Sequence, residues 1–269
     1  MTTPDRKPDT IVLVHGLWMT PLSWEHWIKH FEDAGYTVHA PAWPGVEGDI
    51  DALRKDPSVL NGLGVREIAD HYEKFIKALP NRPIIMGHSF GGAVTQILLD
   101  RGLGAAGVAI DSGPIKGVLG LPFSALRVAS AALRNPFNLK RTVALTPQQF
   151  HYAFGNALSF EDSENVRNYY AIPGPGRPLF QAAFANFNPK AATKVNFKNS
   201  TRAPLLLIAG GDDHVVPASM NRENFKRYRK SAAVTAFKEF PGRTHYTVGQ
   251  DGWPEVADYA LSWSLENAR

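Results

Sequence analysis

A single serine lies between two glycines in residues 87–91, which read Gly-His-Ser-Phe-Gly. A short apolar run precedes this pattern and a longer one follows it, which is typical of a strand that turns directly into a helix. A serine hydroxyl becomes a nucleophile when a base takes its proton, and nearby backbone N–H groups must stabilise the oxyanion that forms. A G-x-S-x-G turn projects its serine from such a junction. We therefore predict that Ser89 is a covalent nucleophile.

The base that this serine needs is sought among nine histidines. His245 is preferred because it alone follows the last predicted strand on a loop that contains glycine. We expect the other histidines to lie at helix surfaces or to form local hydrogen bonds. His214 stands beside a candidate acid, in a loop too short to let it reach Ser89 as well.

No pattern in the sequence indicates a metal or an organic cofactor. The chain contains no cysteine, which excludes disulfides and thiolate metal sites, and it contains no His-Glu-x-x-His spacing. Residues 102–107 match G-x-G-x-x-G, but the dinucleotide fingerprint needs a strand before the glycines and a helix after them. Here the order is reversed, so we interpret this segment as a turn and predict catalysis without metal or cofactor.

Strands that alternate with helices are predicted to position these residues. Five helices are predicted in the core, at about 24–31, 68–79, 91–99, 218–230 and 256–263. Residues 46–64 show no period and are predicted to be loop. Apolar runs rich in β-branched residues predict six strands, at 11–14, 36–40, 83–86, 107–110, 205–208 and near 234–240. Such alternation predicts an α/β fold with a mostly parallel sheet that is covered by helices on both faces.

The interval between the fourth and fifth strands is too long for one crossover connection, which needs roughly 30 residues. It contains its own helix signals, a capping box at Thr146-Pro147-Gln148-Gln149 and a second start at Ser159. We therefore predict a helical cap insertion over residues 116–200, with 1–115 and 201–269 forming the core. Its many aromatic residues are expected to form a small core of its own or to line a pocket above Ser89.

Four motifs in this order resemble the α/β-hydrolase family along nearly the whole chain. The segment Val14-His15-Gly16-Leu17-Trp18 follows the first strand, and the serine turn follows the third. The segment 211–217, Gly-Asp-Asp-His-Val-Val-Pro, follows a buried strand, and 241–245, Pro-Gly-Arg-Thr-His, follows the last. The order serine, acid, histidine is the one expected for this fold.

The resemblance implies a serine esterase or lipase-like enzyme of the small type with a helical cap. It implies that Ser89, Asp213 and His245 form a catalytic triad. It further implies that the backbone N–H groups of Leu17 and Phe90 form the oxyanion hole.

The identity of the acid stays open between three aspartates at strand ends. The run Asp213-His214-Val215-Val216-Pro217 matches the family's usual ending and favours Asp213. Asp212 is adjacent and should point in another direction. Asp111 ends the strand at 107–110, a position from which some family members take their acid.

The function that follows is hydrolysis of a carboxylic ester, with a small-molecule ester-like substrate. The same triad serves lactonases, thioesterases, perhydrolases of the cofactor-free haloperoxidase type, carbon–carbon bond hydrolases and acyltransferases. A function of another class is ligand binding, since hormone receptors with the hydrolase fold keep the triad.

Composition and charge argue against several other classes. The chain has a formal charge of +4 and a pI of about 9.2, but its basic residues are scattered, so we predict no nucleic-acid partner. No apolar run approaches the roughly 20 residues that a membrane span needs. The first seven residues lack the apolar core of a signal peptide, and we expect a cytoplasmic protein.

Overall fold

The main sheet of the protein has six parallel strands. The computed structural model describes residues 8–120 and 122–269, so the predicted absence of a signal peptide concerns residues outside this range. The strands are β1 (Thr10–Val14), β2 (Thr37–His39), β3 (Ile84–His88), β4 (Ala106–Ile110), β5 (Thr142–Val143), β6 (Gly174–Pro175), β7 (Leu205–Gly210) and β8 (Thr235–Phe240). The main sheet has the order β2-β1-β3-β4-β7-β8, and each neighbouring pair is parallel. The predicted α/β fold is confirmed.

Ten α-helices surround or extend this sheet in the described part of the chain. They are α1 (Glu25–Asp33), α2 (Ile50–Lys55), α3 (Val65–Lys77), α4 (Phe90–Asp100), α5 (Phe123–Leu133), α6 (Pro147–Ala153), α7 (Phe160–Tyr170), α8 (Arg177–Ala183), α9 (Ala218–Arg227) and α10 (Trp253–Asn267). None of the helices that the structure describes combines the length and the apolar character needed to cross a membrane.

The sheet is buried on both faces, and the alternation of side chains along its strands supplies both cores. Ile11 and Leu13 of β1 pack in one cluster with the aromatic stripe of α1 and with α10. Val12 and Val14 point to the opposite face and pack with α3 and α4. Because both faces are covered, the central strands are apolar at nearly every position.

The prediction that residues 46–64 form a loop is wrong for part of the segment. This segment contains α2, and residues 58–60 form a single 3-10 turn. Asp49 caps α2 by accepting a hydrogen bond from the N–H of Asp51. Only Leu53 of the helix is buried, so six residues with one apolar anchor leave no period in the sequence.

The long interval between β4 and β7 contains α5 to α8 and the antiparallel pair of β5 and β6. None of its described residues pairs with the main sheet. Both predicted helix starts are confirmed. Thr146 and Gln149 form a reciprocal capping box at α6, and the Ser159 side chain accepts from the N–H of Asp162 at the start of α7.

Hydrogen bonds from the core to backbone groups hold the insertion in place. The guanidinium of Arg54 in α2 donates to the carbonyls of Asn168, Tyr169 and Ala171, at 2.6, 3.1 and 3.0 Å. These carbonyls lie at the C-terminal end of α7, where a helix leaves its last carbonyl groups without partners. The indole N–H of Trp18 donates to the carbonyl of Val143 at 2.9 Å.

Glycines allow three backbone segments to meet at the turn between β3 and α4. Ser89 itself has a left-handed φ of 57°, a conformation that a non-glycine residue adopts only when its surroundings enforce it. A Cβ on Gly91 would lie 2.0 Å from the carbonyl oxygen of Val14, and one on Gly87 would lie 2.2 Å from the carbonyl oxygen of Gly91. A Cβ on Gly16 would lie 2.8 Å from the Cβ of Ser89. The G-x-S-x-G pattern therefore reflects contacts of backbone with backbone.

We expect Gly91→Ala to separate α4 from β1, because the new methyl group would overlap a backbone oxygen that cannot rotate away. Overpacking of this kind costs about 1–3 kcal/mol, which in a chain of this size lowers the melting temperature by several degrees. Gly113→Ala is the matched control, since a Cβ there would meet its nearest neighbour at 3.5 Å, an ordinary contact distance. Thermal unfolding of the two variants tests the expectation, and equal melting temperatures would contradict it.

Candidate active site

Three polar side chains from distant parts of the sequence meet at one edge of the sheet. Ser89 follows β3, Asp213 follows β7 and His245 follows β8, each at the C-terminal end of its strand. Because the strands are parallel, these ends lie at the same edge, where ligands bind in open α/β sheets. All three residues are buried.

The three side chains form one continuous chain of hydrogen bonds. Nε2 of His245 lies 2.9 Å from Oγ of Ser89, and Nδ1 of the same ring lies 2.7 Å from Oδ2 of Asp213. When the ring is neutral with its proton on Nδ1, Nδ1–H donates to the carboxylate and Nε2 is free to accept the serine proton. This is the arrangement by which a histidine acts as a base toward serine.

The turn after Asp213 orients its carboxylate. Oδ1 accepts hydrogen bonds from the backbone N–H groups of Val215 and Val216, at 2.6 and 2.8 Å. The other oxygen, Oδ2, is thereby directed toward His245. Two backbone donors and one ring nitrogen thus hold the carboxylate in a single orientation.

The other two candidate acids occupy different environments. Asp212 is exposed, and its backbone N–H donates to the carbonyl of Arg243. Asp111 is fully buried at the end of β4, where its Oδ1 accepts from the N–H of Gly210 at 2.6 Å. Burial raises the pKa of the Asp111 carboxyl well above its ordinary value, and the nearby charge of Asp213 raises it further. Burial therefore favours the protonated, neutral form of Asp111.

Two buried histidines beside the serine are also neutral. Burial, followed by the proximity of His245, lowers the pKa of His88 well below its ordinary value. Its Nε2 lies 2.8 Å from the carbonyl oxygen of His245 and donates to it. The sequence predicted only that this histidine forms local hydrogen bonds. The observed bond holds the backbone of His245, the candidate base.

His15 has a comparable structural role in the loop after β1. Burial lowers its pKa to about 4, so the ring is neutral. Its Nδ1 lies 3.0 Å from the carbonyl oxygen of Gly16, and its Nε2 accepts from the backbone N–H of Trp43 at 3.1 Å. The ring also stacks on Trp43 with centroids 4.8 Å apart. His15 thus fixes the loop that carries Leu17 beside the serine, and no sequence pattern predicts its contact with Trp43.

The two predicted oxyanion donors lie on the segments that flank Ser89. Phe90 is the first residue of α4, whose N-terminus favours negative charge. Leu17 follows Gly16, where a Cβ would lie 2.8 Å from the Cβ of Ser89. Neither backbone N–H has a hydrogen-bond partner within residues 8–120 and 122–269.

An apolar pocket of about 850 Å³, counting the solvent at its open mouth, leads to Ser89. None of the described side chains that line it is charged. Its walls include Leu126, Leu133 and Leu179 from the insertion and Met220 from the core. The amide of Asn186 also faces the pocket, but it bonds to the N–H of Gly117 and the carbonyl of Val118.

No described aromatic residue of the insertion lines this pocket, and its two aromatic wall residues, Trp18 and Phe90, belong to the core. Phe150 and Phe154 are buried and stack with centroids 4.8 Å apart, and the edge of Phe154 packs against His245 at 4.9 Å. Phe154 is therefore a contact of the candidate base that the sequence did not single out. Several other aromatic residues of the insertion are exposed.

One cluster of three potential metal ligands occurs in the described part of the chain, formed by His88, Asp111 and His245 with their ligand atoms within 4.8 Å of one another. His88 and Oδ1 of Asp111 are engaged in the hydrogen bonds described above. His245 bonds through both ring nitrogens. Oδ2 of Asp111 is buried and has no hydrogen-bond partner among the described residues.

A sequence model described as the alpha/beta hydrolase family matches residues 11–259. Among solved structures, the chain is similar to a monoacylglycerol lipase from Paleococcus ferrophilus, with 20% identity, a TM-score of 0.65 and coverage of 97% of this chain and 96% of the other. It is similar to an extracellular alpha/beta-hydrolase from a Paenibacillus species, with 20% identity, a TM-score of 0.67 and coverage of 97% and 100%. It is also similar to tomato Methylketone Synthase I complexed with 2-tridecanone, with 15% identity, a TM-score of 0.68 and coverage of 97% and 99%. No curated protein sequence matches the chain significantly.

We expect Asp111→Asn to become progressively more stable than the original protein as pH rises. The pKa of Asp111 is raised in the folded state, whereas an unfolded aspartate titrates near about pH 3.9. Above that value only the unfolded chain readily releases the proton, so folding is penalised in the original protein but not in the neutral variant. The asparagine oxygen can still accept from the N–H of Gly210.

Melting temperatures measured from about pH 4 upward test this expectation. The difference between the variant and the original protein should be smallest at acidic pH and should grow toward neutrality. Asp212→Asn, which changes the neighbour of Asp213, is the control and should not show this gain, because the side chain of Asp212 is exposed. A variant whose stability falls relative to the original protein with rising pH would indicate that Asp111 is ionised in the fold.

Proposed function

Because the chain belongs to the alpha/beta hydrolase family, we propose that it is a serine hydrolase that cleaves a carboxylic ester through an acyl-enzyme. The observation that carries the proposal is the hydrogen-bonded chain from Ser89 through His245 to Asp213 at the base of an apolar pocket. In this proposal Ser89 is the nucleophile, His245 the base and Asp213 the residue that orients the base.

Acylation begins when Oγ of Ser89 attacks the ester carbonyl carbon while Nε2 of His245 takes its proton. The carbonyl electrons move to the oxygen, and the N–H groups of Leu17 and Phe90 stabilise that oxyanion. Asp213 stabilises the imidazolium that forms. The tetrahedral intermediate then collapses, and His245 gives its proton to the departing alcohol.

Deacylation repeats these steps with water as the nucleophile. His245 takes a proton from water as its oxygen attacks the acyl carbon, and the oxyanion again occupies the site beside Leu17 and Phe90. Collapse releases the carboxylic acid and returns the proton to Oγ of Ser89. Burial lowers the pKa of His88 and raises the pKa of Asp111, which supports this role for His245 because it disfavours a second charge beside the imidazolium.

The pocket indicates that the substrate carries an uncharged apolar group. A charged group there would lose its hydration without gaining an ionic partner, and the amide of Asn186 is already engaged. Aliphatic side chains of α5 and α8 form much of the wall. We therefore propose that residues 116–200 are a cap that sets the substrate range, while 1–115 and 201–269 supply the catalytic groups.

Covalent labelling tests the nucleophile. A fluorophosphonate probe should add one label to the protein, and Ser89→Ala should abolish both labelling and turnover of short p-nitrophenyl esters, since loss of a triad member typically costs 10⁴-fold or more. Ser219→Ala, at an exposed serine of α9, is the control and should behave as the original protein. Labelling that persists in Ser89→Ala would refute the assignment.

A lactone and a thioester measured beside the esters identify the preferred leaving group. Rapid repeated turnover is expected of an enzyme, whereas a single turnover would favour a receptor.

The acid is tested by neutralising two neighbouring aspartates separately. Asp213→Asn should keep the fold and lower kcat by about 10⁴-fold, because an amide can stabilise the wrong histidine tautomer. Asp212→Asn changes the same charge one residue earlier on an exposed side chain and should retain most activity. Steady-state kinetics on one ester with both variants provide the comparison. A mild effect of Asp213→Asn on kcat would contradict the assignment of the acid but not that of Ser89 as nucleophile.

A further inference from the structure

The net positive charge of the chain lies in residues 116–200, because this segment has few acidic residues. This insertion contains ten lysines and arginines but only three aspartates and glutamates, which gives it a net charge of +7, while the rest of the chain carries −3. Its three acids all lie within the first turns of α7. From residue 112 to residue 160 the sequence has no acidic residue at all. The overall charge of +4 thus conceals two parts of opposite sign.

The same insertion exposes large apolar side chains. Phe123, Phe137 and Phe187 are 79%, 73% and 85% exposed, although aromatic residues on this scale usually bury much of their surface. We define the docking face as Leu119, Phe123, Leu126, Phe137, Leu139, Phe184 and Phe187, together with the basic residues Arg134, Lys140 and Arg141.

The elements that carry the docking face pack against one another. Helices α5 and α8 are in contact, and both contact the segment 136–140. The amide of Asn186 bonds to the residues that precede Leu119, so the end of α8 lies beside that loop. The guanidinium of Arg141 lies 5.8 Å from the ring of Phe137, so basic and aromatic groups alternate within one surface.

The docking face is continuous with the pocket that leads to Ser89. Leu126 belongs to both, since it lines the pocket and remains 46% exposed. Ala183 and Asn186, which flank Phe184 and Phe187 in sequence, also line the pocket. An apolar molecule can therefore pass from the docking face to the serine along a largely apolar path.

We propose that this face binds the surface of an anionic phospholipid bilayer. Exposed Phe and Leu side chains beside Arg and Lys are the composition of surfaces that insert their apolar groups at the headgroup boundary, and each basic residue is attracted by anionic lipid. No carboxylate among the described residues lies within ion-pair distance of Arg134, Lys140 or Arg141.

A second copy of this chain fits the docking face less well than a lipid surface. A symmetric dimer would place the same patch on both subunits, so Arg134, Lys140 and Arg141 of one copy would face the same basic residues of the other. An anionic bilayer instead attracts the basic groups and accepts the aromatic ones. The proposal concerns binding and does not depend on the chemistry of Ser89.

Sedimentation with lipid vesicles tests the proposal, and the Ser89→Ala protein avoids turnover during the measurement. It should sediment with vesicles of phosphatidylcholine and phosphatidylglycerol in equal parts, much less with pure phosphatidylcholine, and less on the anionic vesicles as salt rises. Failure to bind the anionic vesicles would overturn the proposal, whereas hydrolysis of a soluble ester by the original protein would be unaffected by that result.

Variants identify the residues that bind. Phe123→Ser and Phe187→Ser should each weaken vesicle binding by about tenfold, and Arg134→Gln should weaken it by about fivefold on anionic vesicles. Val59→Ser and Lys74→Gln change exposed residues outside the insertion and are the matched controls. Neither substitution should weaken vesicle binding. Unchanged melting temperatures exclude unfolding as the cause.

Two outcomes with the variants would overturn the proposal. One is equal binding by Phe187→Ser and Val59→Ser. The other is a dimer, detected by light scattering, that Phe187→Ser dissociates, because the face would then be an interface between copies of the chain.

Discussion

The close approach of α4 to β1 is the constraint on which the candidate site depends. The backbone of Gly91 lies so near the carbonyl of Val14 that no side chain fits between them. This contact brings the loop at Gly16 against Ser89, so the serine and both predicted oxyanion donors belong to one compact arrangement. The left-handed φ of Ser89 is enforced by the same contacts. Backbone strain and reactive geometry therefore have a common origin here.

The electrostatic environment of this arrangement is controlled by burial. His15, His88 and Asp111 are titratable, yet burial shifts the pKa of each in the direction that favours its neutral form. Asp213 has what Asp111 lacks, namely two backbone N–H donors and a ring nitrogen around its carboxylate. The site thus contains many ionisable groups but one carboxylate in direct contact with His245. A proton that moves to this ring meets one partner of opposite charge.

The elements of the core were predictable from the sequence because their residues have clear periods. The stripe of Trp27 and Phe31 in α1 and the apolar runs of the strands require burial on definite faces. The convergence of Ser89, Asp213 and His245 was predictable because parallel strands end at one edge. Their catalytic roles remain a prediction.

Other features depend on contacts that sequence patterns do not encode. The choice among three aspartates depends on where the backbone of Val215 and Val216 turns, and the neutral state of Asp111 depends on burial from several elements. The sequence also does not predict which aromatic residues of the insertion are buried, since no pattern distinguishes Phe154 from Phe187. One packs against His245 and the other faces solvent. Helix α2 was missed because a single buried leucine anchors it.

The hydrogen bonds from Arg54 to the end of α7 affect whether the insertion can be transferred to another protein core. Helix α7 ends on carbonyl groups whose donors belong to α2, more than a hundred residues earlier in the chain. A graft of residues 116–200 onto another core would leave these carbonyls unpaired unless residues 50–55 travelled with it. The structural unit that contains α7 is thus discontinuous in sequence, and an exchange would preserve it only when both segments are moved together.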